Sequence, residues 1–389
     1  MSVRDKKDKG GPRKLLALDG GGIRGVLTLE VLAKIESELQ TALGRGDDFV
    51  LADYFDYVAG TSTGAIIATC LSLGMRVKDI TDFYVESGPA MFDKTNLLRR
   101  YYLNKFSDVK LAGKIKDVIN QQARRQGVAP KEGETEYALD TDALRTYLML
   151  VLRNATTDSP WPVSNNPDAM FNCADLDDCN LRFPLWQLVR ASTAAPTYFP
   201  PEVIRLRDDL QFVFVDGGVT MYNNPAFQLF LMATLRPYKL EWETGEDKML
   251  LVSVGTGAAA NANANLAPEE MNIVYNASSL PSAFMYAAAN EQDFLCRVFG
   301  NCLSGSVIDS EVGDLKGDAG GGPVHPKLFI YMRYNADLSR KGLDRLGLPH
   351  VVPQNVQQLD SVAHIPELQE VGRAVAREVN VEHFRGFLQ

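Results

Sequence analysis

The chain has 389 residues, of which 46% are hydrophobic and 23% are charged. These proportions are those of an ordinary globular protein, and they argue against a disordered or fibrous chain. The net charge of −9 argues against binding to a nucleic-acid polymer, because phosphate binding needs a clustered basic surface. No apolar run approaches the roughly 18 residues of a membrane span. Five cysteines are few and odd in number, so we expect free buried thiols and a cytoplasmic protein.

The first fourteen residues carry mixed charges and a Gly-Gly-Pro break, which predicts a flexible tail over 1–14. They contain no apolar stretch of the kind that a secretion signal has. The apolar run 15–18 then predicts a buried strand. A helix is predicted further on, from the helical spacing of Val31, Ile35 and Leu39. Strand and helix are joined by the glycine-rich segment Asp19-Gly20-Gly21-Gly22-Ile23-Arg24-Gly25.

Two interpretations of this glycine-rich segment are open. Its spaced glycines fit G-x-G-x-x-G, the pattern of a dinucleotide-binding module. That pattern expects an acidic residue about 20 positions on, at the end of the next strand, whereas Glu36 and Glu38 fall inside the predicted helix. Alternatively, the glycine amides at a helix N-terminus form an oxyanion hole for an acyl-transfer intermediate. Arg24 would then add positive charge nearby.

A second strand-turn-helix unit is predicted over 55–68, and its turn is Gly60-Thr61-Ser62-Thr63-Gly64. A G-x-S-x-G turn between a strand and a helix is the setting of a nucleophile elbow. Gly60 and Gly64 are expected there because the backbone makes a tight turn that Cβ groups would obstruct. The following helix directs its positive N-terminal end at the serine oxygen. We therefore predict that Ser62 is a catalytic nucleophile.

Residues 90–140 are polar and basic, and we interpret them as an insertion or cap over the core. Their basic residues alternate with large apolar ones, a composition that suits docking to an anionic membrane surface. A solvated helical face with a small core of its own is the alternative. The basic residues concerned are Lys94, Arg99, Arg100, Lys105, Lys110, Lys114 and Lys116.

Two further apolar strands are predicted, at 212–215 and 249–254, and both end in glycines. Open parallel sheets carry their sites at such carboxyl ends of strands. Asp216 ends the first of these strands, so its carboxylate can lie beside Ser62 and serve directly as the base. An ordinary aspartate, with a pKa of about 3.9, is a weak base, and burial would raise that pKa. A Ser62–Asp216–His325 triad, in the chain order of α/β-hydrolases, is the alternative.

The last part of the chain predicts a helix packed on the core, because Leu368, Val371, Val375 and Val379 recur at helical spacing. We expect a catalytic domain over 15–335 and a helical C-terminal extension over 336–389. The carboxylates show no calcium-loop spacing, so we expect neither a metal nor a cofactor.

Three segments together resemble the signatures of the patatin-like phospholipases: DGGGIRG at 19–25, GTSTG at 60–64 and DGG at 216–218. Residues 190–200, RASTAAPTYFP, also resemble that family. The resemblance implies a three-layer α/β/α sandwich with a mostly parallel central sheet. It also implies lipid acyl hydrolysis by a Ser62–Asp216 dyad. The oxyanion hole implied by the resemblance comprises Gly20, Gly21, Gly22, Arg24 and Gly25.

The same resemblance implies partners. The substrates would be membrane phospholipids, which the protein would reach as a peripheral protein at the membrane surface. Some bacterial members of the family are effectors of anti-phage defence, switched on by cyclic oligonucleotides, so such an activator is a further expectation. Neither the oligomeric state nor the preferred head group follows from the sequence.

Overall fold

The computed structural model describes residues 3, 6, 10–92, 106–173, 175–176, 178–196, 198–207, 209–259, 273–317 and 322–389. Nine strands within these residues form one sheet, in the order β5–β6–β3–β2–β1–β7–β9–β8, and β4 also pairs with β3. The strands are β1 (Arg13–Leu18), β2 (Tyr57–Thr61), β3 (Tyr147–Asn154), β4 (Ser159–Ser164), β5 (Glu202–Arg207), β6 (Leu210–Asp216), β7 (Met249–Val254), β8 (Asn301–Ser304) and β9 (Ile330–Tyr334).

The sheet is mixed and mostly parallel. Neighbouring strands from β3 through β2, β1, β7 and β9 to β8 are parallel. At the other end, β4 and β6 are antiparallel to β3, and β5 is antiparallel to β6. The expected α/β architecture with a mostly parallel sheet is therefore confirmed.

Helices cover both faces of this sheet. Their bounds in chain order are α1 (Gly25–Ala42), α2 (Leu51–Tyr54), α3 (Thr63–Ser72), α4 (Val77–Phe92), α5 (Phe106–Arg125), α6 (Leu185–Ser192), α7 (Ala226–Thr234), α8 (Ile273–Phe299), α9 (Arg340–Arg345), α10 (Pro353–Gln357) and α11 (Ile365–Ala376). Buried residues of α1, α3–α6 and α11 form the core on one face, and those of α7 and α8 belong to the core on the other.

The central strand β1 shows why its sequence is a continuous apolar run. Leu16 and Leu18 belong to the core on the α1 face, whereas Leu15 and Ala17 belong to the core on the α7 face. All four side chains are fully buried. A parallel strand covered on both faces needs apolar residues at every position, so the usual alternation with polar residues is absent.

The N-terminal segment differs from the prediction of a flexible tail over 1–14. β1 already begins at Arg13, and the Lys14 side chain is buried. The Lys6 side chain is buried as well, with its Nζ donating to the carbonyl oxygens of Ala52 (2.8 Å) and Phe55. The prediction of a flexible tail is therefore wrong for Lys6, Arg13 and Lys14, because these residues are part of the folded structure.

The C-terminal helix α11 packs across α1, as its apolar spacing predicts. Leu368, Val371 and Val375 are fully buried between them. The two helices approach closely at Gly372, where a Cβ would lie only 2.8 Å from the Cβ of Glu30. This packing fixes the C-terminal segment against the helix that follows the glycine-rich segment.

Part of the predicted insertion belongs to the core. In α5, Leu111, Ile115 and Ile119 are buried, and the helix packs against α4 and α6. The side chain of Lys116 forms an ion pair with Glu136. Residues 93–105, which carry Lys94, Arg99, Arg100 and Lys105, lie outside the described residues. In the part of the chain that is described, no helix is both long and apolar enough to cross a membrane.

Candidate active site

Ser62 lies at the junction of β2 and α3, in the turn that the G-x-S-x-G pattern indicated. Its backbone angles, φ 55° and ψ −123°, are strained for a residue with a side chain. The flanking glycines make this turn possible: a Cβ on Gly60 would overlap the carbonyl oxygen of Gly64, and a Cβ on Gly64 would overlap that of Leu18. The elbow therefore projects the serine side chain out of the sheet and beyond the end of β2.

The carboxylate of Asp216 is held by a hydrogen bond at each oxygen. Ser62 Oγ donates to Oδ2 at 2.6 Å, and the amide of Gly218 donates to Oδ1 at 2.6 Å. The Asp216 amide itself donates to the carbonyl oxygen of Ala194 at 2.9 Å. Asp216 is thus fixed from its backbone to its carboxylate, with one oxygen directed at the serine hydroxyl.

Ser62 and Asp216 meet because β2 and β6 end against each other. β2 pairs with β3 as far as Thr61, opposite Val151, and β6 pairs with β3 from Asp216, opposite Leu152. β4 pairs with β3 over both stretches and so occupies the other side of that strand. Hence β2 and β6 follow one another along one side of β3, in opposite directions. Ser62 and Asp216 therefore lie at two strand ends that point toward each other. The sequence had suggested instead that they lie at the ends of neighbouring parallel strands.

The surroundings of Asp216 make it a stronger base than an ordinary aspartate. Burial raises its pKa to about 6, and the hydrogen bonds from Ser62 and Gly218 and the charge of Arg190 limit the rise. The Arg190 side chain is fully buried, and its Nη2 donates to the carbonyl oxygen of Pro200 at 3.1 Å. A carboxylate with a pKa close to neutral accepts a hydroxyl proton more readily.

Ser192 connects the elbow to the sheet. Its Oγ accepts a hydrogen bond from the Ser62 amide at 3.0 Å and donates to the carbonyl oxygen of Val151 at 2.7 Å. The Ser192 hydroxyl therefore links the backbone of Ser62 to β3. Sequence reasoning did not assign Ser192 a role, although it lies in the segment 190–200 that resembles the patatin-like family.

The glycine-rich segment lies directly against Ser62, since a Cβ on Gly20 would be 3.1 Å from Ser62 Cβ. Most of its amides are bonded within the protein. The donors and acceptors are Gly20 N to Asn223 O (3.0 Å), Ile23 N to Leu359 O (2.9 Å), Arg24 N to Gly21 O (3.2 Å) and Gly25 N to Gly22 O. The amides of Gly21 and Gly22 have no partner within the described residues. These two amides are therefore able to donate to a ligand.

The Arg24 side chain anchors the glycine-rich segment through backbone carbonyl oxygens. Its Nε donates to the carbonyl oxygen of Gly21 at 3.4 Å, and its Nη1 donates to that of Gln357 at 3.2 Å. Burial lowers the pKa of Arg24 to about 10. Its described hydrogen bonds go to backbone oxygens and not to Ser62 or Asp216, so the side chain joins the segment to α10.

A buried ion pair holds the start of the same segment. Arg333, on β9, donates to both carboxylate oxygens of Asp19, at 2.8 and 2.5 Å, and also to Ser253 Oγ at 2.7 Å. Burial opposes the charge on Arg333, but the Asp19 carboxylate outweighs it and raises the pKa of the guanidinium. The pair ties β1 to β9 beneath the site. Sequence reasoning missed Arg333, whose only signal was a charge inside an apolar strand.

The structure does not bring a histidine to Ser62. His325 is exposed, and no described hydrogen bond joins it to Ser62 or Asp216. The other three histidines are bonded elsewhere, in the pairs His350–Glu370 (3.0 Å), His364–Glu367 (2.5 Å) and His383–Tyr334 (2.7 Å). The described geometry therefore pairs the serine with an aspartate and does not assemble the alternative triad.

The remaining candidates for ligand binding are few. Among the described residues, no three His, Cys, Asp or Glu side chains come together as they would at a metal site. All five cysteines are free, and Cys173 alone of the five is exposed. Glu36 lies within α1, where it accepts a hydrogen bond from the Val77 amide, and so does not end a strand as the dinucleotide pattern requires.

Residues 16–230 match the family model described as patatin-like phospholipase. The chain belongs to this family. As a patatin-like protein it is a lipid acyl hydrolase, and the resemblance seen in the three sequence segments is confirmed.

The family relationship extends to curated plant proteins. The chain is 25% identical over 335 residues to Patatin-17 of Solanum cardiophyllum, an alignment that covers 76% of this chain and 78% of the relative. It is 26% identical over 332 residues to Patatin-2-Kuras 4 of Solanum tuberosum, with coverages of 76% and 81%. The alignments thus reach well beyond the three short motifs.

Among solved structures, the chain is similar to VipD from Legionella pneumophila. The identity is 15%, the coverage is 93% of this chain and 67% of that chain, and the TM-score is 0.38.

Proposed function

We propose that this patatin-like protein hydrolyses the fatty-acyl esters of membrane phospholipids, as a phospholipase A or lysophospholipase, through a Ser62–Asp216 dyad. The observation that carries the proposal is the 2.6 Å hydrogen bond from Ser62 Oγ to Asp216 Oδ2 at a strained elbow. As Oγ attacks the ester carbonyl, Asp216 accepts its proton, and the tetrahedral intermediate collapses to an acyl-enzyme. The departing alcohol takes that proton, and water attacks in the second half with Asp216 again as base.

The oxyanion hole is the second part of the proposal. Preorganised amides stabilise the negative charge that develops on the ester oxygen. The unbonded amides of Gly21 and Gly22 are the proposed donors, at a segment in contact with Ser62. Gly20 and Gly25 serve by their lack of a side chain: a Cβ on Gly25 would lie 2.6 Å from Thr63 Oγ1 at the start of α3. Arg24 holds the segment in position.

The enzyme is proposed to act from the cytoplasm, as a peripheral protein at the membrane surface. Free cysteines suit a reducing compartment. Exposed apolar residues border the site: Val219 and Met221 follow the Asp216 turn, and Phe284 on α8 is 69% exposed. Its neighbour Met285 places Cε 3.4 Å from the position of a Cβ on Gly218. Such side chains can enter the boundary between head groups and acyl chains.

Three variants and a probe test the mechanism. A fluorophosphonate should label the wild type at Ser62 and fail to label Ser62→Ala, whereas a nucleotide-binding module would not react. Asp216→Asn should lower kcat about a thousandfold or more, as expected for loss of an essential base. His325→Ala should leave kcat unchanged. A collapse of kcat in folded His325→Ala would replace the dyad with the triad.

A role as an anti-phage effector with a cyclic-oligonucleotide activator is proposed on the family resemblance alone. Phospholipid hydrolysis measured with and without cyclic di- and trinucleotides tests it. Stimulation by one of them would support regulation, and equal rates with all of them would contradict it.

A further inference from the structure

Asn223 is a buried polar residue next to the site, and it has no role in the Ser62–Asp216 mechanism. It lies between the Asp216 turn and α7, and its side chain is 7% exposed. Its Oδ1 is enclosed and has no hydrogen-bond partner within the described residues. No described hydrogen bond involves its Nδ2, which is not among the enclosed unpaired atoms. Leaving a buried polar group unpaired is costly, so a folded protein keeps such a group for a reason.

The carboxamide stands between the two loops of the site. A Cβ on Gly20 would overlap Asn223 Oδ1 and would lie 3.1 Å from Ser62 Cβ. A Cβ on Gly218 would lie 3.0 Å from Asn223 Oδ1 and 3.0 Å from Asp216 Oδ1. Asn223 therefore borders the nucleophile on one side and the base on the other. Its backbone is fixed there, because its carbonyl oxygen accepts the Gly20 amide at 3.0 Å.

The neighbouring asparagine shows what a structural role looks like at this point of the chain. Asn224 is fully buried, and its Oδ1 accepts from the Ala226 amide (3.1 Å) and from Ser253 Oγ (3.3 Å). Its Nδ2 donates to the carbonyl oxygen of Ala289 at 3.4 Å. Both ends of that carboxamide are thus satisfied. Asn223 has the same side chain one residue earlier, and neither end of it makes a hydrogen bond within the described residues, so this carboxamide can bond a ligand.

We propose that Asn223 is a further catalytic residue, whose side-chain Nδ2 donates a hydrogen bond to the ester oxygen as negative charge develops on it. The inference rests on the proposed function of the Ser62 site. A carboxamide is a neutral donor that neither takes the serine proton nor competes with Asp216 as base. It would act together with the Gly21 and Gly22 amides, from the side of the Asp216 turn.

Kinetics of single variants on a soluble short-chain ester test this role. Asn223→Ala should lower kcat about a hundredfold, the usual effect of losing one oxyanion donor, with a much smaller change in KM. Its Tm should not fall, because the side chain makes no described hydrogen bond. The rate at which a fluorophosphonate labels Ser62 should fall in parallel, because its phosphoryl oxygen occupies the same position. Asn223→Asp, of the same shape but without the donor, should be at least as impaired.

Asn224→Ala is the matched control, and it should lower Tm while the kcat of the folded enzyme stays close to that of the wild type. The inference would be overturned by an Asn223→Ala enzyme with wild-type kcat, or by one that loses activity only as it unfolds. Ser62→Ala distinguishes a failure of the role of Asn223 from a failure of the proposed function. If Ser62→Ala is inactive and Asn223→Ala is fully active, only the role of Asn223 fails, whereas an active Ser62→Ala enzyme removes the proposed function itself.

Discussion

The activity should fall in mildly acidic solution, and the reason lies in the burial of Asp216. The dyad works only while Asp216 is ionised, because a protonated carboxyl cannot accept the Ser62 proton. Burial raises the pKa of this group to about 6 from an ordinary value of 3.8. Since the charged form is the active one, activity is present above the pKa and is lost as the pH falls through it.

The size of the effect follows from that pKa. At pH 5, a base with a pKa of about 6 is roughly one-tenth ionised, so kcat/KM should be about tenfold below its neutral plateau. At pH 4 the loss should reach about a hundredfold. An aspartate with an ordinary pKa would still be more than about nine-tenths ionised at pH 5 and would show almost no loss.

The assay is kcat/KM for a soluble short-chain ester between about pH 4 and pH 9, with circular dichroism at each pH to show that the enzyme stays folded. His325→Ala serves as the control and should give the same profile, because His325 is exposed and outside the site. A plateau that extends unchanged to pH 4.5 would refute the account of Asp216. An inflection that disappears in His325→Ala would show that the histidine is the titrating base.

Three further predictions concern the supports of the site and its approach to lipid. Ser192→Ala removes the hydroxyl that holds the Ser62 amide, and it should lower kcat about tenfold or more because Ser62 is misplaced. Ser192→Thr restores a hydroxyl and should recover part of the loss, whereas equal kcat in the two variants would argue that Ser192 does not position Ser62. Arg24→Ala should lower kcat with a small change in Tm, and an unaltered kcat/KM would contradict its role in holding the glycine-rich segment. The last variant reverses charge in the insertion by changing Arg99, Arg100 and Lys105 together to Glu. It should reduce hydrolysis of anionic liposomes, most clearly at low salt, and leave hydrolysis of a soluble ester unchanged. Equal loss on both substrates would exclude membrane docking by this segment.

The elbow and the terminal helix could be predicted because their signals are local. The five-residue turn around Ser62 needs small residues at fixed positions, and α11 needs apolar residues at helical spacing, and both requirements are visible in a short stretch of sequence. The start of β1 was misplaced because Arg13 and Lys14 are charged. In the fold, Arg13 lies over the Trp242 ring at 4.6 Å and Lys14 over the Tyr54 ring at 4.9 Å, so the strand accommodates both.

The long-range features could not be predicted from one sequence. The direction of β6 is set by its pairing with β3 and β5. The apolar run that forms β6 is equally compatible with a parallel or an antiparallel strand. The partner of Asp19 is Arg333, which is 314 residues away along the chain. Likewise, Asn223 and Asn224 are the same residue type in the sequence, and only the fold shows that the side chain of Asn224 is bonded within the described residues while that of Asn223 is not.

The central claim is tested most directly by mass spectrometry of mixed phospholipid liposomes incubated with the wild type and with Ser62→Ala. The account predicts that the wild type releases free fatty acids, with lysophospholipids appearing as the matching products, and that folded Ser62→Ala releases neither. Equal release by both proteins, or no acyl release by the wild type from any phospholipid, would contradict it.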